Sequence, residues 1–249
     1  MARKLTQMSI KLVVLVCLVA LPAASFADGS VTSDSTAKIR VERELTRQGL
    51  AHSGLMVSVD DHIATLSGNV LTLAEKDRAG RAARNVAGVQ RVVNNLSIIA
   101  ETGDAELAKA VRKSILTDPY YGVFDWIDGQ VMNGKVVLSG SVRDPLTKSD
   151  IEKRLMAVAG ITTIENHIEV LPLSTQDDRL RIASLRLIFG DSSLSSYGFG
   201  ANPSIHVIVN NGRVTLKGVV ANKLERQIAE NVLRTNLLAF EVKNDLEVM

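Results

Sequence analysis

VVLSGSV at residues 136–142 decides how this chain is read, because it is written twice more, as ATLSGNV at 64–70 and VTLKGVV at 214–220. In each copy apolar residues alternate with small or polar ones, the period of a strand with one buried face. Four residues after the glycine stand Thr72, Asp144 and Asn222. These are helix N-cap types, whose side-chain oxygen accepts a hydrogen bond from an orphan amide of the first turn. Glu75 and Glu225 follow three residues later in capping-box position. Pro145 takes the first helical position of its copy, where its missing N–H costs nothing.

The glycines Gly68, Gly140 and Gly218 are spaced by 72 and 78 residues, and so are Asn94, Asn166 and Asn244. From glycine to asparagine every copy runs 26 residues without insertion. One unit is therefore repeated three times. Upstream of the glycine, Asn133-Gly134 and Asn211-Gly212 each divide two alternating runs, which predicts two-residue hairpin turns with φ > 0 at both positions. The first copy has Asp61-His62 there, so His62 fills a glycine position as a tolerated substitute rather than a metal ligand.

Downstream of the cap an amphipathic helix is predicted from Ala79, Ala82, Ala83 and Val86, then Ile151, Leu155 and Val158, then Leu224, Ile228 and Val232. Gly88 and Gly160 are expected to stop it in the left-handed conformation, and Leu238 at that place means the third helix ends differently. A last strand carries the asparagine. A further helix precedes each hairpin, on Val41/Leu45, Leu107/Val111/Ile115 and Leu180 to Phe189. The fold class is thus α+β: three tandem αββαβ domains at 34–101, 104–172 and 177–248, each a three-stranded mixed sheet with two helices on one face. The linkers are short, Glu101–Gly103 and Pro172–Gln176, so neighbouring copies are expected to touch.

The start of the chain reads as a targeting segment. Arg3, Lys4 and Lys11 precede an apolar run at 12–24, and Ser25-Phe26-Ala27 places small residues for a signal peptidase. Cleavage after Ala27 is expected, with a periplasmic destination. The chain has 29 basic and 27 acidic residues. The leader holds three of the basic ones and no acidic one, which leaves 26 against 27 and removes any bulk-charge argument for nucleic acid. Cys17, the only cysteine, leaves with the leader, and with it any disulfide.

These residues resemble the BON (bacterial OsmY and nodulation) domain family, in three tandem copies. The resemblance is carried by the V-x-L-S-G-x-V segment and its echoes, the Asn-Gly turns, Leu116-Thr117-Asp118-Pro119, and Gly160-Ile161 followed by Ile164-Glu165-Asn166-His167-Ile168. Leu238 and His62 depart from its pattern. The resemblance implies an αββαβ fold, export to the periplasm and non-catalytic work: binding phospholipid surfaces, supporting the envelope under osmotic or other stress, and in some members acting as a chaperone. That last role, or a protein-binding scaffold using open sheet faces, is the alternative function.

No nucleophile elbow, zincin motif or phosphate loop is present, so no enzyme, cofactor, metal or small-molecule substrate is expected. Two features stand out as binding candidates. Tyr120, Tyr121, Phe124 and Trp126 are four of the eight aromatics outside the leader, within seven residues. They suit either a half-wet binding patch or packing against a neighbouring copy, and the short linkers favour packing. Arg78, Arg81 and Arg84, with Arg91 beyond, give the first copy a basic helix that anionic phospholipid could attract. Glu75 and Asp77 are interleaved with them, so a solvated charged face is the plainer account. Envelope proteins are the other expected partner.

Overall fold

The computed structural model describes residues 33–50, 54–99, 103–200 and 202–249. The leader with Cys17 and its cleavage point, His52 and Glu101-Thr102 lie outside the described residues. The first copy comprises α1 (Asp34–Arg47), β1 (Met56–Asp60), β2 (Ile63–Val70), α2 (Leu73–Arg84) and β3 (Arg91–Ile98). The second comprises α3 (Asp104–Leu116), β4 (Trp126–Met132), β5 (Lys135–Val142), α4 (Pro145–Met156) and β6 (Thr163–Val170). The third comprises α5 (Thr175–Gly190), β7 (Ile205–Asn210), β8 (Arg213–Val220), α6 (Lys223–Asn236) and β9 (Glu241–Val248), with a 3-10 turn at Ser195–Gly198 between α5 and β7.

Each copy has its own sheet, in sequential strand order, with the hairpin antiparallel and the strand after the second helix parallel to the hairpin's inner strand. The predicted caps form: Thr72 accepts from the Glu75 amide at 3.1 Å, Asp144 from Leu146 at 2.8 Å and Asn222 from Glu225 at 3.0 Å. Each copy also has its own hydrophobic cluster, closed by the first helix, the second helix and alternate strand residues. Counted eleven and fifteen residues from the motif glycine, the second helices bury Ala79/Ala83, Ile151/Leu155 and Ala229/Leu233. The expected stripe in α6 is therefore displaced by one residue: Leu224 is exposed and Ile228 and Val232 are half-buried. The small Ala229 sits nearest the sheet because α6 keeps the repeat register, not the register of its largest side chains.

The motif glycines owe their identity to a close approach. Gly68, Gly140 and Gly218 all have φ between 111° and 121°, and a Cβ on any of them would fall onto a carbonyl oxygen at the start of the facing strand: Gly54, Trp126 or Ser204. The hairpin turns have φ > 0 at both residues, at Asp61-His62, Asn133-Gly134 and Asn211-Gly212. The helix stops differ from expectation. α2 and α4 end at Arg84 and Met156, four residues before Gly88 and Gly160, which do take positive φ but in the following loop. Asn85 and Ala157 already cap these helices with their own amides. α6, lacking that glycine, runs on to Asn236.

Two side-chain ties recur. The repeated asparagine bridges the last strand to the second helix: its amide donates to the carbonyls of Lys76 (2.7 Å), Lys148 (3.3 Å) and Arg226 (2.7 Å) in turn. Its oxygen accepts from the amide two residues on. The second tie is an aspartate in the opening turn of each first helix, whose two oxygens accept both turn amides. Asp34 holds Asp61 and His62, Asp104 holds Asn133 and Gly134, and Asp177 holds Asn211 and Gly212, all at 2.7–3.1 Å.

Candidate binding surfaces

The aromatic segment lies between α3 and β4, and it divides. Tyr120 is exposed, with its amide held by Asp118 at 2.9 Å. Tyr121 is buried in the second copy's cluster, and burial pushes its hydroxyl up to about 12. Phe124, half-buried, packs against the third copy's cluster, with the Arg143 guanidinium 5.8 Å over its ring. Trp126 opens β4 and meets the edge of the His206 ring at 5.3 Å between centroids. The strand starts at Trp126 itself, so Phe124 precedes it and belongs to no sheet face. The segment is shaped by Asp125, whose buried carboxylate accepts from the Gly122 and Arg143 amides at 2.9 and 2.7 Å while burial raises its pKa.

What these aromatics build is a seam between the second and third copies. The Val207 amide donates to the Val123 carbonyl at 2.8 Å, His206 Nδ1 lies 3.2 Å from the Gly122 carbonyl, and Asn202 donates to Leu116 at 2.9 Å. β7 is consequently buried on both faces, where alternation alone leaves His206 and Ile208 outside. Burial lowers the pKa of His206, while the Gly122 carbonyl and Asp125 pull the other way. The first copy meets the second elsewhere: the Gly160 amide donates to Leu71 at 3.2 Å and Leu73 packs on the second core.

Two clefts flank the seam. One, of about 530 Å³, lies between the open sheet faces and is lined by Trp126, Asp128, Ser139, Thr215, Lys217 and Asp245. The floor is charged and internally paired, with Lys217 and Lys243 both 2.9 Å from Asp245. The other, of about 510 Å³, runs beside β4, between α3 and the Asn202–Ser204 loop.

On α2, Arg78, Arg81 and Arg84 are all exposed, as is Arg91 at the start of β3. Arg81 is paired with Asp77. Among the described residues no ion pair engages Arg78 or Arg84. α1 and α2 together carry eight basic and five acidic residues, a surplus of three confined to one layer of the first copy. The basic helix and the aromatic segment therefore lie on different copies. The packing of Phe124 on the next copy follows the packing alternative that the short linkers favour, whereas the aspartate ties and the place of His206 in the seam have no signal in the sequence. The aspartates are spaced by 70 and 73 residues rather than 72 and 78, because loop lengths differ between helix and turn.

A BON domain family model matches residues 33–100, 103–172 and 192–249. The chain belongs to the BON-domain family. Its third BON match begins after α5, although α5 packs on the third sheet where α1 and α3 pack on theirs. A relative, "Osmotically-inducible protein Y" of Escherichia coli (strain K12), is 24% identical over 150 residues, 57% of this chain and 74% of that one. Among solved structures, the C-terminal domain of CdsD, a structural protein of the type III secretion system of Chlamydia trachomatis, aligns at 15% identity and a TM-score of 0.26. That alignment covers 85% of this chain and 96% of that one. The PrgH periplasmic domain aligns at 13% identity and a TM-score of 0.20, covering 78% and 95%. Among the described residues no helix of the three BON units is long and apolar enough to cross a membrane.

Proposed function

We propose that the chain is an exported, non-catalytic envelope protein of the periplasm, serving under osmotic stress, whose first BON unit binds anionic phospholipid surfaces through its helical layer. The carrying observation is the charge surplus of α1 and α2, with Arg78 and Arg84 exposed and outside any ion pair among the described residues. Exposed Ile39 and Leu71 add apolar contacts on the same copy. The name of the Escherichia coli relative supports the osmotic part, and the leader-like start of the chain supports export. Near an anionic surface each basic residue contributes about 1 kcal/mol. The test is co-sedimentation of the leaderless chain with phosphatidylglycerol-containing and with pure phosphatidylcholine vesicles. Binding is expected only to the first, weakening with salt and falling about thirtyfold in the double variant R78Q/R84Q. Equal behaviour on both vesicles overturns this reading.

A second reading, a protein-binding scaffold or chaperone, is supported by the cleft beside β4, whose walls include Val111, Ile115, Trp126 and Pro203.

A further inference from the structure

Around one turn of the third unit stand the three most exposed large apolar side chains among the described residues. Leu173 and Leu238 are each 95% exposed and Phe240 is 88% exposed. Leu237 and Ala239 pack on the third cluster, so the alternate residues Leu238 and Phe240 stand outward in the loop between α6 and β9. The Phe240 amide donates to the Gly212 carbonyl at 2.9 Å, and its ring lies over Gly212, leaving no room for a Cβ there. Leu173 sits in the linker before α5, and both ends of that linker are bonded to the same hairpin turn. Glu169 accepts from Asn210 at 3.4 Å, and Asp177 accepts from the amides of Asn211 and Gly212.

The fold does not ask for Leu238 and Phe240. In the other copies the same backbone bond to the second turn residue is made by Gln90, to His62 at 2.9 Å, and by Thr162, to Gly134 at 2.8 Å. Phe240 thus stands where its counterparts are polar, and Leu238 where they are Gly88 and Gly160. What covers the three side chains follows from their shape and area. They protrude, and none of them lines either cleft flanking the seam. Counted even at the upper aromatic value of about 250 Å² each, they fall short of the about 800 Å² per partner that a standard protein interface buries. A bilayer needs neither a complementary shape nor a minimum area, because its binding scales with the apolar area inserted. The loop also carries little polar cost into such an interface. The Leu237 and Phe240 amides are bonded within the unit, Arg213 pairs with Glu241 at 3.4 Å and Arg234 with Glu230 at 2.7 Å.

We propose that the α6–β9 loop of the third unit is a second membrane contact, in which Leu238 and Phe240, flanked by Leu173, insert into the headgroup–acyl boundary of a phospholipid bilayer. This rests on the membrane reading of the first unit, because a few apolar side chains hold a chain on a bilayer only alongside another attraction. The first unit brings the chain to an anionic surface by charge, and the third unit adds an apolar contact that salt does not screen.

The chain holds one tryptophan, Trp126 in the seam, so Phe240→Trp adds a reporter at the loop while keeping an aromatic ring there. On vesicles of phosphatidylglycerol and acyl-brominated phosphatidylcholine, the emission added to the leaderless chain should shift to the blue and be quenched relative to unbrominated vesicles. In co-sedimentation with phosphatidylglycerol-containing vesicles, L238Q/F240Q should bind about tenfold more weakly, and its remaining binding should keep its salt dependence. Both side chains are exposed, so this variant should unfold in urea as the parent does, which separates a lost contact from a lost fold. Added emission that stays unquenched while the chain sediments overturns insertion and leaves the charge-driven reading of the first unit in place. No sedimentation with any vesicle overturns both. Self-association of the vesicle-free chain in light scattering, abolished in L238Q/F240Q, assigns the loop to a second copy of the chain and overturns the proposal.

Discussion

At the scale of single residues, the motif glycine is the most constrained position in each copy. Its φ lies in the region that disfavours any side chain, and the facing carbonyl occupies the place of a Cβ. Gly140→Ala must either open the start of β4 or strain the ladder, so a loss of about 2 kcal/mol or more is expected in urea melts. The same change at Gly190, which has no neighbour within 4 Å of a built Cβ and no positive φ, should cost well under about 1 kcal/mol. The aspartate ties make a second prediction. Asp177 is buried and holds two turn amides. Asp177→Ala orphans both, and a loss of about 2–3 kcal/mol is expected, partly recovered by Asn, which can still accept one. The glycine was legible from sequence because a constant register announced it. The aspartate was not, because its partners are reached across a loop of different length in each copy.

At the scale of elements, local chemistry and register predicted more than side-chain size did. Thr72, Asp144 and Asn222 cap as their types dictate. The strand order and hairpins follow from alternation and turn residues. The face of α6 differs from the one its large residues Leu224 and Val232 suggest, because the position facing the sheet is set by distance from Gly218 and holds Ala229. The helix ends depart from the glycine stops because the amides of Asn85 and Ala157 close α2 and α4 three residues before Gly88 and Gly160. For α6, Leu233→Ala should therefore cost about 2–4 kcal/mol in equilibrium unfolding, and Leu224→Ala less than about 1 kcal/mol.

At the scale of the molecule, contacts between copies were beyond reach of a pattern that describes one copy at a time. Short linkers implied contact, but nothing in the repeat says that the first and second copies meet through a helix start while the second and third meet along a strand edge. The aromatic segment is the case in point: its clustering was visible, and its division between two cores was not. His206 gives this seam a pH dependence. Its folded pKa lies below the unfolded value of about 6.5. On acidification the unfolded chain takes up the proton first, so stability present above about pH 6.5 is lost as pH falls below it. Asp125 has the opposite sign, its raised pKa favouring the folded form as acid reaches the carboxylate range. Thermal melts between pH 7.5 and 5 should show a decline that His206→Gln flattens. A decline unchanged in that variant assigns the pH response to other groups.

The placement of Phe124 has a consequence for the integrity of the array. One aromatic ring encoded in the middle module packs against the hydrophobic cluster of the last. The third module is thus a tenant behind a wall it does not own. Excising it, or exchanging it with the first, would uncover the part of its cluster that Phe124 shields, so the modules are alike in plan but fixed in order.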